Sequence, residues 1–292
     1  MRIVIQGFGA VGASTAINVI SSNNFKNNFK VHCIEKNNLH GSQKIINAKK
    51  GFFPLNSSDK LLNKYLRKAI KSKKITFGFE NKEFANANII IVSINCDLKN
   101  SNSIDMNSFN KSIDSILNNV TENTLILIES TVPPGTCEKI IYPKMKSIFK
   151  KRKIKLKNVY LAHSFERVTP GKNYLLSCRN SYRVYAGINK KSENKCKNFL
   201  SKIINVKQFP LSKLKNITTS ETCKLMENSY RAVNIAFIDE WVKFSKKLNL
   251  NLFEIIDSIK KRKTHNNIML PGLGVGGYCL TKDPLFAKIS QK

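Results

Sequence analysis

The sequence predicts an α/β fold: a doubly wound parallel sheet over the first two thirds, then an all-helical central part with one long helix. Three observations predict it. Short apolar runs alternate with helix-patterned stretches from the start, the order that builds a parallel sheet with crossover helices. The run Ile-Ile-Ile-Val-Ser-Ile at 89–94 is apolar nearly throughout, as a strand covered by helices on both sides must be. From 214 to 248 apolar residues recur every three or four positions, and the strand pattern is gone.

Residues 2–6 read as the first strand and 13–20 as the helix after it. Further strands are read at 29–34, 89–94, 124–128, 159–162 and 183–187, with helices at 59–71 and 107–118 between them. The Asn-rich stretch 100–110 reads as a surface loop. Residues 214–248 read as a single helix with Cys223, Met226, Tyr230, Val233, Phe237 and Trp241 on one side. A helix that long usually crosses between domains or lines a subunit interface.

At 292 residues the chain holds two domains, placed at 1–195 and 196–292, and its 41% apolar content suits a globular core. The net charge of +31, from 50 Lys and Arg against 19 Asp and Glu, raises nucleic acid or a membrane surface as partners. The lysines, however, run along the whole chain. The densest clusters, at 150–155 and 260–263, carry no interleaved aromatics on which bases would stack. Neither nucleic acid nor a membrane is therefore expected. Seven cysteines without a CxxC pair argue against a disulfide framework and a zinc site, and for a reducing compartment. The four histidines form no ligand pattern, so no metal is expected. The N-terminus enters a strand directly and no apolar run approaches the roughly 20 residues of a membrane span, which predicts a soluble, cytoplasmic protein.

Five segments carry chemistry. Gly7-Phe-Gly9-Ala-Val-Gly12 follows a strand and opens a helix, and Glu35 ends the next strand 23 residues after Gly12. That context predicts a Rossmann-type dinucleotide site, with the pyrophosphate at the helix N-terminus and the carboxylate on the ribose hydroxyls, favouring NAD over NADP. Glu129-Ser-Thr131-Val-Pro-Pro-Gly-Thr136 ends a strand in a rigid turn, which suits a ligand-facing loop or an ordinary turn equally. Glu166 and Arg167 end a later strand, as a site carboxylate or as a surface ion pair. Lys224 and Asn228, at i and i+4, share one helix face, where they would stabilise an oxyanion or simply face solvent. Finally, Pro271-Gly-Leu-Gly-Val-Gly-Gly-Tyr-Cys279 places four glycines in six residues ahead of a thiol, with Asp283 four residues on. If a helix starts near Cys279, thiol and carboxylate share its first turn and the dipole favours thiolate. The alternative is a glycine-rich turn with an inert cysteine.

Taken together and in this order, GFGAVG, ESTVPPGT, the ER-V-T-PG segment, ETCKLMENSYRAVNIAF and PGLGVGGYCLTKDP resemble the UDP-glucose/GDP-mannose dehydrogenase family, the nucleotide-sugar 6-dehydrogenases. The resemblance runs over essentially the whole chain. It implies oxidation of a sugar C6 alcohol to a carboxylate in two steps, using two NAD molecules in succession. By the resemblance, Cys279 forms a thiohemiacetal that becomes a thioester. Lys224 and Asn228 stabilise the oxyanion, and Asp283, Thr131 and Glu166 handle the hydrolytic water. It places the cofactor on Gly7, Gly9, Val11, Gly12, Glu35, Ser93 and Thr131. It places the sugar nucleotide on Glu166, Arg167, Lys224, Asn228, Gly276 and Gly277.

Where the UDP-glucose branch carries a second glutamate, four residues after the one matching Glu166, this chain has Pro170. The form ER-x-x-PG, with GVGG before the cysteine, looks more like the branch acting on UDP-N-acetylhexosamines. Arg262 or His265 would stand in for the family's arginine ahead of the PG motif. The long helix implies a homodimer. Family members continue into a further, UDP-binding domain, which is expected to be absent here or supplied by a separate polypeptide. Other readings are a one-step hydroxyacid dehydrogenase, which needs no cysteine, and a non-catalytic NAD-binding remnant or partner subunit.

Overall fold

β-Branched residues, stiff at χ1, pack well on a pleated surface, and they make up most of two neighbouring strands of the larger sheet, through Ile3-Val4-Ile5 and Ile89-Ile90-Ile91-Val92. In the computed structural model, which describes residues 1–22, 28–100, 103–169 and 171–290, the strands are Arg2–Gln6 (β1), Lys30–Ile34 (β2), Ile75–Gly78 (β3), Ile89–Val92 (β4), Asp97–Asn100 (β5), Ser103–Asp105 (β6), Leu125–Ile128 (β7), Tyr160–His163 (β8), Val184–Gly187 (β9) and Ser212–Lys213 (β10). The α-helices are Ala10–Ser21 (α1), Leu39–Lys49 (α2), Lys60–Lys71 (α3), Asn107–Asn119 (α4), Tyr142–Lys151 (α5), Tyr174–Arg179 (α6), Lys190–Ile203 (α7), Ile217–Lys247 (α8), Leu252–Lys260 (α9) and Asp283–Ile289 (α10). Pro170 lies outside the described residues.

The chain separates into two compact units. The first comprises Met1–Cys96 and Asp105–Glu221, the second Asp97–Ile104 and Thr222–Lys292. The first unit holds an eight-stranded sheet in the order β10-β9-β8-β7-β4-β1-β2-β3. Side chains alternate across it. Ile3, Ile5, Ile91 and Leu127 pack in one cluster with Ala16 and Ile17 of α1, Leu62 and Leu66 of α3, and Phe199 of α7. Val4, Ile90 and Ile126 turn to the opposite face and are equally buried.

Two expectations need correction. The sheet is not wholly parallel: β9 runs antiparallel to β8, pairing Ala162 with Gly187 and His163 with Ala186. The stretch 100–110 is not simply a loop, since β6 and the start of α4 fall inside it. Its strand is only Ser103-Ile104-Asp105, half-buried or exposed, too short to show the apolar alternation by which strands are read.

The second unit is built on α8, whose Ile238 and Val242 pack with Leu252 and Ile256 of α9 and with Ile268 and Met269. Residues 97–104, with β5 and most of β6, belong to this unit.

Candidate active site

Parallel strands that end at one level set the residues following them along one edge. Backbone bonds extend the ladder past the strand ends: Gly7 N donates to Ile34 O (2.9 Å), Ser93 N to Gln6 O (2.9 Å), Glu129 N to Val92 O (2.9 Å) and Ser164 N to Ile128 O (3.1 Å). The glycine loop, Glu35, Ser93, Thr131 and Glu166 thus follow neighbouring strand ends. Strand order reverses between β1 and β4, the switch point at which α/β sheets bind ligands.

The three glycines of the loop serve different needs. Gly7 sits at φ +97°, where a Cβ would lie 2.6 Å from the Ser93 carbonyl oxygen. A Cβ on Gly12 would stand 1.9 Å from the Gly7 carbonyl oxygen, so only glycine lets α1 pack this close. At Gly9, the N-cap of α1, a Cβ would meet nothing within 4 Å, and no side chain caps the helix. That leaves open space beside unsatisfied N–H groups, the form of a pyrophosphate cradle. The Glu35 carboxylate accepts from Phe8 N (3.1 Å) and Lys44 Nζ (3.2 Å), which holds it beside the loop. Val11 and Ser93 are half-buried there. These residues fit a dinucleotide.

Thr131 is half-buried past the end of β7. Glu166 is buried and forms an ion pair with Arg183, which is 1% exposed. Arg183 also reaches Glu129 Oε1 (2.7 Å), Ser164 O (2.8 Å) and Ser164 Oγ (3.2 Å), while Thr15 Oγ1 of α1 donates to Glu129 Oε2 (2.9 Å). Burial opposes the guanidinium charge, but Glu166 and Glu129 outweigh it and hold Arg183 firmly protonated. Arg167 stacks on the Phe165 ring (5.0 Å) and donates to the Tyr182 carbonyl. No local motif marks Arg183. It precedes a strand, and only the antiparallel course of β9 brings it to the edge where the other strands end.

The Val-Pro-Pro-Gly turn is held from below by Glu221, whose carboxylate accepts from Gly135 N (2.6 Å) and Cys137 N (2.9 Å). Burial pushes this carboxyl up to about 7, against the opposing pull of those N–H donors.

In the second unit Lys224 and Asn228 of α8 are half-buried, and Asn228 Nδ2 donates to Asp283 Oδ2 (2.5 Å). Asp283 is 1% exposed and also pairs with the ammonium of buried Lys282 (2.9 Å), which lies over the Phe286 ring (4.2 Å) and the Tyr278 ring (5.2 Å). The helix begins at Asp283, not near Cys279, so the thiol lies one turn ahead of α10 rather than within it. The two residues are still joined, because Asp283 N donates to Cys279 O (2.9 Å). Gly277 takes φ +80°, and a Cβ on Gly276 would meet nothing within 4 Å. Arg262 and His265 are exposed.

None of the cysteines forms a disulfide among the described residues, and Cys279 alone is exposed. Cys33, Cys137, Cys178 and Cys196 are fully buried, with their thiols pushed up by desolvation. A nucleophile must be reachable as thiolate, so Cys279 is the candidate.

Comparison with known proteins bears on both units. A family model described as the UDP-glucose/GDP-mannose dehydrogenase family, NAD binding domain, matches residues 1–205, and one for that family's central domain matches 218–291. The UDP-N-acetyl-D-mannosamine dehydrogenase of Methanococcus vannielii is 34% identical over 98% of this chain and 60% of its own. The solved UDP-D-ManNAc dehydrogenase of Pyrococcus horikoshii superposes with a TM-score of 0.84 at 26% identity, over 98% of this chain and 64% of that one. A UDP-N-acetyl-mannosamine dehydrogenase from Staphylococcus aureus gives a TM-score of 0.78 at 26% identity, over 100% and 66%. The chain thus spans roughly three fifths of the length of the curated relative.

Proposed function

Because the chain belongs to the UDP-glucose/GDP-mannose dehydrogenase family, we propose that it oxidises the C6 alcohol of a UDP-N-acetylhexosamine to the uronic acid. NAD is the cofactor of the N-terminal domain family, and Gly7, Gly9, Val11, Gly12, Glu35, Ser93 and Thr131 are the residues that would hold it. When bound, it supplies the hydride acceptor for both oxidations.

The observation that carries the reading is the second-unit constellation: the one exposed thiol, joined by a backbone bond to a buried carboxylate that an amide and an ammonium hold in place. Cys279 Sγ adds to the C6 aldehyde and gives a tetrahedral centre that still carries a hydrogen on carbon; an aldehyde by itself offers no comparable hydride. Lys224 and Asn228, one turn apart, donate to the oxyanion that forms. After the second oxidation the thioester carbon takes water, Asp283 accepts a water proton, and the thiol leaves. The resemblance assigns Glu166 and Thr131 to that water as well, and Glu166 to the sugar nucleotide. The acetamido specificity is supported by relatives such as those of Methanococcus vannielii and Pyrococcus horikoshii, which are UDP-N-acetyl-D-mannosamine dehydrogenases.

Among the described residues no helix is long and apolar enough to cross a membrane. Cysteines that form no disulfide among the described residues support placement in the reducing cytoplasm.

The test is NADH stoichiometry with UDP-N-acetylmannosamine. Two NADH per sugar acid are expected, and Cys279→Ala should form no acid. Acid formation by that variant at the wild-type rate would refute the covalent route. Thermal-shift titration tests the substrate. Stabilisation by NAD with no response to any UDP-sugar would replace this reading with that of a non-catalytic NAD-binding remnant.

A further inference from the structure

α3 turns a second face to solvent. Its apolar residues Leu62, Leu66 and Ala69 are buried in the sheet core. The other face carries Lys60, Lys64, Arg67, Lys68 and Lys71, all exposed, at steps of three, four and one that keep them along one side. At about 1.5 Å of rise per residue the row spans about 17 Å. These five residues, with Ser57 and Asn63, line an open groove.

The groove offers donors almost alone. Asn63 Oδ1 already accepts from Phe53 N (2.7 Å) and Ser57 Oγ from Asp59 N (3.1 Å), which leaves an amide N–H pair and a hydroxyl proton for an incoming group. Among the described residues that line it there is no carboxylate. The nearest in sequence, Asp59, is buried and spent on the N–H groups of Leu61 and Leu175 (2.9 Å each). Arg67 is held rather than trailing: its guanidinium lies 5.7 Å from the Phe52 ring centroid, and its Cγ passes so close to Gly51 that a Cβ there would stand 2.4 Å away. A donor-only, cationic, elongated groove complements a ligand made of closely spaced anionic oxygens.

We propose that this groove binds a chain of linked phosphates without bases, of which inorganic polyphosphate is the probe. Nucleic acid fits less well, since among the described residues no aromatic ring lines the groove for bases to stack on, and the nearby Phe52 ring already carries the Arg67 guanidinium. A bilayer also fits less well, since the apolar face that would insert into it is committed to the core.

The experiment measures polyphosphate binding by the full chain across a salt series, for wild type and for K60Q/K64Q/R67Q/K71Q. Four lost contacts should weaken binding about tenfold or more at moderate salt and flatten the log–log salt slope by about 3. A control, K150Q/K151Q/K153Q/K155Q, removes the same charge from exposed positions elsewhere and should change affinity by less than about twofold. The charge-retaining K60R/K64R/K71R variant should bind like wild type, which separates lost contacts from misfolding. Equal losses in the two Gln variants would make the binding diffuse and overturn the proposal. So would tighter binding of single-stranded RNA of matched charge, or of phosphatidylserine vesicles.

Discussion

Arg183 shows how much one buried residue can organise. Its guanidinium holds two buried carboxylates, from the ends of two different strands, together with a serine carbonyl and hydroxyl. Removing the cation leaves Glu129 and Glu166 facing each other without it, and breaking a buried ion pair on one side costs about 3–5 kcal/mol. Arg183→Leu should therefore lower the unfolding free energy measured in urea by an amount in that range, and Arg183→Lys by less, because one ammonium cannot repeat the planar fork. A loss under about 0.5 kcal/mol, the usual effect of an inconspicuous surface change, would show that the network stabilises nothing. Sequence reasoning reached Glu166 through its motif but not its partner. Arg183 is remote in sequence and becomes adjacent only because β9 reverses direction. Asn228 and Asp283, by contrast, were legible, since each lies in a motif of its own. Lys282, beside Asp283 in that motif, was overlooked because charged residues rarely bury their heads.

At the scale of elements, the strands read best were those buried on both faces, because an uninterrupted apolar run of that length fits neither a loop nor a half-exposed helix. β3, β5, β6 and β10 escaped, being four residues or fewer, and all but β3 are mostly polar. The turn at 132–135 shows a different kind of hidden support. It leads into a π-helical segment, Thr136–Ile141, at whose start Gly135 N and Cys137 N donate to Glu221, remote in sequence. Folding raises this carboxyl from its ordinary value of 4.5 to about 7. Between those pH values the unfolded chain binds fewer protons than the folded one, so stability falls as pH rises through the window. The contribution of this group is fully present below 4.5 and lost by about 7, on the order of 3 kcal/mol at most. Glu221→Gln keeps one oxygen to accept from one of the two N–H groups and cannot ionise. Comparing unfolding free energies of wild type and variant from pH 4.5 to 7.5 should show a difference that shifts in the variant's favour as pH rises. A pH-independent difference would mean that Glu221 does not titrate in this range.

The whole molecule sets two opposing forces against each other. Along α8, Met226, Tyr230, Val233, Phe237, Trp241 and Phe244 are exposed at steps of three and four, an apolar row that a soluble chain seldom leaves to water. The Trp241 ring packs edge-on to Phe244 (5.1 Å) and near Phe237 (6.1 Å), so the row is already ordered as a surface. Its chemistry suits the same row on a second copy, a self-complementary two-fold contact, as the homodimer expected from the sequence would need. Yet each copy carries a net charge of +31, and two such chains repel one another over many ångströms. Salt shortens that repulsion, to a Debye length of about 10 Å at 0.1 M, but leaves apolar burial intact. Dimerisation should therefore tighten as ionic strength rises from about 20 to 300 mM, the reverse of an interface held by ion pairs. Light scattering on a concentration series at each salt level measures this. Phe237→Glu with Trp241→Glu should remain monomeric throughout, because each partner would then have to bury a carboxylate against the other's apolar row. Dissociation of the wild type by added salt would exclude the apolar interface, as would a dimer that survives both substitutions.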